Sequence, residues 1–143
     1  MTTVKSWHCA YETHYHIVFP VKYRKCLLNN EVVKQIQEIS REIELRYEIE
    51  IEKLGCDINH IHLLCNFHPK YAIGKVVRVF KSITARKLFE EFPELRKELW
   101  GGEFWSDGYY VGTVGEKGNW KVVEKYVANQ GKTMEYNQLR ILE

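Results

Sequence analysis

The chain has 143 residues, a length that suits one domain with one core, and its 45% hydrophobic and 28% charged residues with only 9 Gly and 3 Pro exclude a disordered or low-complexity polymer. A formal charge of +2, from 21 Lys and Arg against 19 Asp and Glu, is too small to mark a nucleic-acid binder by bulk electrostatics, so any such role must rest on where the charge sits. No stretch approaches the roughly 18 to 20 apolar residues of a membrane span; Cys9, Cys26, Cys56 and Cys65 form no C-x-x-C pair, and the first residues lack the apolar run of a signal peptide, so the expectation is a cytoplasmic protein with free thiols and no membrane partner.

Residues 13–19, Thr-His-Tyr-His-Ile-Val-Phe, are rich in β-branched and aromatic types and stop at Pro20, which predicts a strand with Tyr15, Ile17 and Phe19 on one face and His14, His16 and Val18 on the other. After the basic loop Lys22-Tyr23-Arg24-Lys25, Asn29-Asn30 offers a cap, and Val32, Ile36, Ile39, Ile43 and Tyr47 recur at helical spacing. From Glu48 to Lys53 the period switches to two, predicting a half-exposed strand that ends near Gly55. A third strand, about 60–67, alternates His60, His62 and Leu64 against Ile61, Leu63, Cys65 and Phe67, and Pro69 ends it. A second amphipathic helix is expected over 72–92 with Ile73, Val76 or Val77, Phe80, Ile83 and Leu88 on its buried stripe, then a short helix over 94–99 and a loop over 100–108. Residues 109–114 read as a fourth strand, and a last helix is expected over 119–130. The order β-α-β-β-α-β, followed by a helix, is the α+β ferredoxin-like (split βαβ, RRM-like) arrangement: one antiparallel sheet with helices on one face, all in a single domain over 1–143.

Three groups of residues carry possible chemistry. His60 and His62 stand two apart on a strand, so both imidazoles leave the sheet in the same direction and can share one cation; the plainer alternative is two polar residues on the exposed face of a half-buried strand. Tyr126 and Gln130 stand four apart on the last helix and so share a face, although Tyr126 also continues the apolar stripe of Trp120, Val123 and Val127. Together the four supply two imidazoles, an amide oxygen that can complete a partial metal shell, and a phenol that can act as a nucleophile once a divalent cation makes a phosphate more electrophilic. Ligand type leaves the metal open, with Mg2+ or Mn2+ expected in use.

The third group is basic. Lys70 to Lys87 contains Lys75, Arg78, Lys81, Arg86 and no acidic residue, and Lys75, Arg78 and Ser82 share one helical face where they could line a phosphate backbone, whereas residues 31–52 carry seven Glu. Lys22, Arg24 and Lys25 add a second cluster, and Trp100, Phe104, Trp105, Tyr109 and Tyr110 are candidates for stacking on unpaired bases, most of them equally at home in a core. A rival set, Cys56, His60, His62 and Cys65, would make a structural zinc site, but alternation sends Cys65 to the face opposite the histidines.

These residues bring a family into view. Tyr15-His16-Ile17-Val18-Phe19 with Lys22-Tyr23-Arg24, Asn59-His60-Ile61-His62-Leu63-Leu64, Lys81-Ser82 with Phe92-Pro93, Leu99-Trp100, and Tyr126-Val127-Ala128-Asn129-Gln130 together give a chain that resembles the single-domain HUH tyrosine transposases of the insertion-sequence 200/605 family, including their repeat-associated relatives. The resemblance implies His60, His62 and Gln130 as metal ligands and Tyr126 as the nucleophile that makes a 5′-phosphotyrosine link and frees a 3′ hydroxyl. It further implies a homodimer acting on single-stranded DNA at hairpins near element ends, with no nucleotide cofactor. One departure stands out: the residue before the first metal histidine is often Asp in the family and is Asn59 here, with Asp57 two positions earlier, which puts the orientation of that ligand in question. A relaxase or replication-initiation nuclease would share the chemistry, and a noncatalytic, domesticated hairpin-binding module would need neither Tyr126 nor Gln130.

Overall fold

The side chain of Asn29 accepts a hydrogen bond from the Val32 amide at 2.9 Å and so starts α1, Asn30–Arg46, whose Val32, Ile36, Ile39 and Ile43 are buried at the spacing expected. The computed structural model describes residues 4–5 and 10–113; the expected helix over 119–130, with Tyr126 and Gln130, lies outside them. In chain order the described strands are β1 (Val4–Lys5), β2 (Ala10–Tyr11), β3 (Tyr15–Pro20), β4 (Ile49–Asp57), β5 (His60–Phe67) and β6 (Tyr110–Thr113), with α2 (Ile73–Glu91) and the single turn α3 (Leu95–Glu98) between the last two. β1 and β2 form a small antiparallel ladder that no sequence pattern announced.

The main sheet runs β4-β5-β3-β6, antiparallel throughout. This is the ferredoxin-like order, an α+β fold in which each crossover helix returns the chain past one inserted strand. Ile17 and Phe19 of β3 and Ile61 and Leu63 of β5 face α1 and α2, and with Ile36 and Phe80 they centre one apolar core. Burying each such side chain contributes about 1.5–3 kcal/mol, which is why the apolar parity of the strands is decisive. Among the described residues, no helix is long and apolar enough to cross a membrane.

β4 is longer than expected, ending at Asp57 rather than near Gly55, because β5 pairs with it as far as Asp57↔His60. It also contains a bulge: Ile51 pairs with Cys65 but Lys53 with Leu64, so Glu52 is an extra residue. Before the bulge Ile49 and Ile51 face the helices; after it the parity flips, and Leu54 and Cys56 face them, leaving Gly55 and Asp57 across from His62 and His60. The simple alternation over 48–53 could not show this change of phase.

The buried stripe of α2 also differs from expectation. Thr84 and Phe89 are buried while Ile83 and Ile73 are only half-buried, because the segment after α3 folds back over the helix. The Trp105 indole N–H donates to Thr84 Oγ1 at 2.8 Å, Phe89 meets Phe104 edge to face, and Trp105 bridges antiparallel to Val21. Phe104 and Trp105 are thus core residues and are withdrawn as base-stacking candidates.

Candidate metal and DNA site

The face of the sheet away from the helices carries the imidazoles. His60 and His62 leave β5 side by side, ring centroids 5.0 Å apart, and both are buried, so the alternative of two exposed polar residues is excluded. Each ring is held through Nδ1: His60 Nδ1 lies 2.7 Å from Asn59 Oδ1, and His62 Nδ1 lies 2.9 Å from Nε2 of His16 on β3. Asn59 therefore supplies the acceptor that an aspartate would, and the departure at that position does not disorient the first histidine. Burial, with the neighbouring His16 and His60 adding to it, lowers the His62 pKa to about 2, and burial lowers that of His16 to about 4. Both rings are neutral at pH 7, the form that ligates metals.

With Nδ1 engaged in each ring, coordination would use the two Nε2 atoms, and this donor set fits a divalent cation as two ligands of a larger shell. No cluster of three or more His, Cys, Asp or Glu suited to a metal occurs among the described residues, so a third protein ligand has to come from another residue type or from outside them; Gln130 is in the second group. The rival zinc set fails on geometry, because both Cys56 and Cys65 point into the helix-side core. Burial pushes both thiols up, Cys56 to about 12, so neither is disposed to become a thiolate ligand.

Beside His60 opens a cleft of about 160 Å³ lined by Val18, Pro20, Arg24, Asp107, Tyr109 and Tyr110. Arg24 reaches it from a turn over Lys22–Arg24 in which Tyr23 and Arg24 take φ of 60° and 51°, a region costing non-glycine residues on the order of 1–3 kcal/mol each. Contacts to the segment after α3 help to hold the turn: the Tyr23 hydroxyl donates to the Trp100 carbonyl at 3.0 Å, the Lys22 amide to the Phe104 carbonyl at 2.8 Å, and the Lys22 ammonium to Glu103 at 3.0 Å. The opposite wall is fastened by Lys81, whose ammonium donates to the carbonyls of Ser106 and Gly108 at 2.7 Å each, and whose partial burial lowers its pKa.

A second basic feature lies on the far side of the sheet. Lys75, Arg78, Ser82 and Arg86 line one groove on the outer face of α2, together with Arg46 and Tyr47. The helical spacing thus brings these four together, but it puts them across the sheet from His60 and His62. Lys25 is exposed beside the turn, and Trp100 at 83% and Tyr109 at 42% are the exposed members of the aromatic set.

A sequence model of the family described as "Transposase IS200 like" matches residues 9–130. The chain belongs to that family. Among its relatives, the ISDra2 transposase TnpA of Deinococcus radiodurans is 33% identical over 121 residues, covering 85% of this chain and 86% of that protein. The transposase for insertion sequence element IS200 of Salmonella typhimurium is 32% identical over 124 residues, covering 87% and 78%. A crystal structure of a candidate transposase from Deinococcus radiodurans superposes with a TM-score of 0.72 at 30% identity over 91% of this chain and 99% of that one. The fold alone is shared with a REP-associated tyrosine transposase bound to a REP hairpin, at a TM-score of 0.59 and 9% identity over 87% and 70%.

For an IS200-like transposase, a DNA-cleaving class of enzyme, the described geometry supplies a paired-imidazole site and two separate basic surfaces. Sequence reasoning missed His16 as part of the site, although a signal was present: His14-Tyr15-His16, at the entry to the strand that pairs with β5, repeats the His-x-His spacing of His60-Ile61-His62.

Proposed function

We propose that this transposase cuts and rejoins single-stranded DNA through a transient covalent link to Tyr126, with Mg2+ or Mn2+ held by His60, His62 and Gln130. The observation that carries the reading is the buried pair His60 and His62, each held at Nδ1, in a chain of the transposase family. The Tyr126 oxygen, losing its proton, attacks phosphorus; the bond to the 3′ oxygen breaks as the new one forms, and that oxygen takes up a proton as a 3′ hydroxyl. One phosphate ester replaces another, so rejoining is the same displacement in reverse and needs no nucleotide cofactor. A bound cation supplies Lewis acidity toward the phosphate oxygens and the departing oxygen.

The chain itself supplies position and charge. Arg24, in the cleft beside His60, is suited to a phosphate oxygen, and the exposed ring of Tyr109 on the same cleft to an unpaired base. Lys75, Arg78, Ser82 and Arg86 are the proposed seat for phosphate backbone away from the cut; Lys25 beside the turn is a further proposed phosphate contact, and Lys22 and Lys81 would add positive charge from the Glu103 pair and the Ser106 and Gly108 carbonyls that hold them. Hairpins at element ends as the substrate, a homodimer as the working unit and a single domain over 1–143 belong to the same proposal and rest on the family resemblance.

The test mixes wild type or Tyr126→Phe with labelled single-stranded oligonucleotides tiling the DNA that flanks the gene, with Mg2+ or Mn2+, and reads covalent adducts on a denaturing gel. The expected result is a cation-dependent adduct that the variant lacks. Hairpin binding with no adduct on any tile would favour the noncatalytic hairpin-binding module instead.

A further inference from the structure

We infer that His16 is a positioning residue for the metal site: by accepting the Nδ1 proton of His62 it holds that ring in the tautomer whose Nε2 lone pair faces a cation. The inference rests on the metal reading above. Its basis is the 2.9 Å contact between His16 Nε2 and His62 Nδ1, with the two rings 5.2 Å apart and inclined by 22°. That contact blocks Nδ1 of His62 from any metal, so ligation has to use Nε2. One hydrogen sits between the two nitrogens. If His16 donated it, the only N–H of a neutral His62 would be on Nε2 and would close the coordinating position; if His62 donates it, Nε2 carries the lone pair. A ligand-competent His62 therefore requires His16 as acceptor.

The fold holds His16 to this task. β3 is paired on both sides, with His16 opposite Leu64 of β5 and Gly112 of β6, so its backbone cannot shift without breaking two ladders. The ring is buried, and Tyr110 meets its edge at 6.1 Å and 75°. Gly112 makes that possible: a Cβ there would lie 2.8 Å from the Tyr110 hydroxyl, so any side chain would push Tyr110 off its path along the strand. His16 thus relates to His62 as Asn59 does to His60, one acceptor per ligand, although the first comes from a neighbouring strand and the second from the adjacent residue.

The experiment uses the full chain, Mn2+ alone as probe, and two readouts: metal affinity by calorimetry, and the protonated nitrogen of His62 from 15N-detected imidazole resonances in metal-free protein. Variants are His16→Phe, which keeps a ring but no acceptor, His16→Gln, whose amide oxygen can accept, and His62→Ala. The inference expects His62 protonated at Nδ1 in wild type, Mn2+ binding about 10- to 100-fold weaker in His16→Phe, and recovery to within about threefold of wild type in His16→Gln. It is overturned if wild-type His62 carries its proton on Nε2, a readout that needs no variant to fold, or if His16→Phe binds Mn2+ as wild type does while His62→Ala does not. Should wild type and His62→Ala bind Mn2+ alike, the metal reading itself falls, and the inference with it.

Discussion

Two segments of this protein carry the same tripeptide pattern, His14-Tyr15-His16 at the entry to β3 and His60-Ile61-His62 on β5, and they put it to different uses. On β5 the two rings stay together as neighbours. At the entry to β3 they part: His14, just before the strand, turns to Glu52, with Nδ1 2.7 Å from its carboxylate, while His16 on the strand reaches His62. Register makes the difference. His62 lies directly opposite Val18, so His16 is its diagonal neighbour, whereas His14 lies one pleat further on, near the bulge where Glu52 is the extra residue. Equal spacing gives equal direction, but the partner strand decides what each ring meets.

The sharpest way to break this division is to remove one ring at a time. His60→Ala and His62→Ala should each reduce adduct formation to the level of Tyr126→Phe, whereas His14→Leu should leave it within about threefold of wild type, since no metal ligand depends on it. Loss of the adduct in His14→Leu with unchanged stability would show that the roles of His14 and His16 are not distinct.

Stability should respond in the opposite sense. His14→Leu leaves the Glu52 carboxylate, half-buried in the sheet, without its 2.7 Å partner, and should cost about 1–3 kcal/mol in urea unfolding. Next in size is the groove on α2. Arg78→Ala or Lys75→Ala should weaken DNA binding and lower its salt slope by about 0.7–0.9 per lost phosphate contact, while the yield of adduct per bound DNA stays unchanged, because the groove lies across the sheet from the imidazoles.

A smaller effect concerns Glu52 itself. Burial raises its pKa, against the hydrogen bond from His14. A carboxyl raised by folding contributes stability that is fully present below its unfolded pKa and is lost as pH rises through the raised one, so thermal melts between pH 4 and 7 should show wild type gaining a little more on acidification than Glu52→Gln. Smallest in energy but simple to read, alkylation of native protein should reach exposed Cys26 and spare Cys56 and Cys65, which face the helix-side core, until the chain unfolds.

Much of this was legible in the residues themselves. The helix over Asn30–Arg46 follows from an Asn cap and a 3.6-residue period, β5 from strict alternation closed by Pro69, and the sheet order from the sequence of elements. The pair His60 and His62 was readable because a period of two sends both side chains the same way whatever the fold. The gathering of Lys75, Arg78 and Ser82 in one groove was readable for the corresponding helical reason, and the structure adds Arg86 to them. Phe104 and Trp105 were not: an aromatic residue in a loop is equally consistent with a core and a stacking surface until a partner such as Thr84 claims its polar atom.

By itself, then, the sequence determined the two long helices and the strands of the main sheet, the ferredoxin-like order, the family, and the side of β5 on which two imidazoles stand, because each of these depends on periodicities and motifs within one segment. The tertiary structure alone decided that His16 meets His62 while His14 meets Glu52, that a bulge turns Cys56 away from the histidines, and that the Lys22–Arg24 turn brings Arg24 to the cleft beside His60. These are facts of register and loop docking. They depend on which residue of one strand lies opposite which residue of another, and no local pattern carries that information.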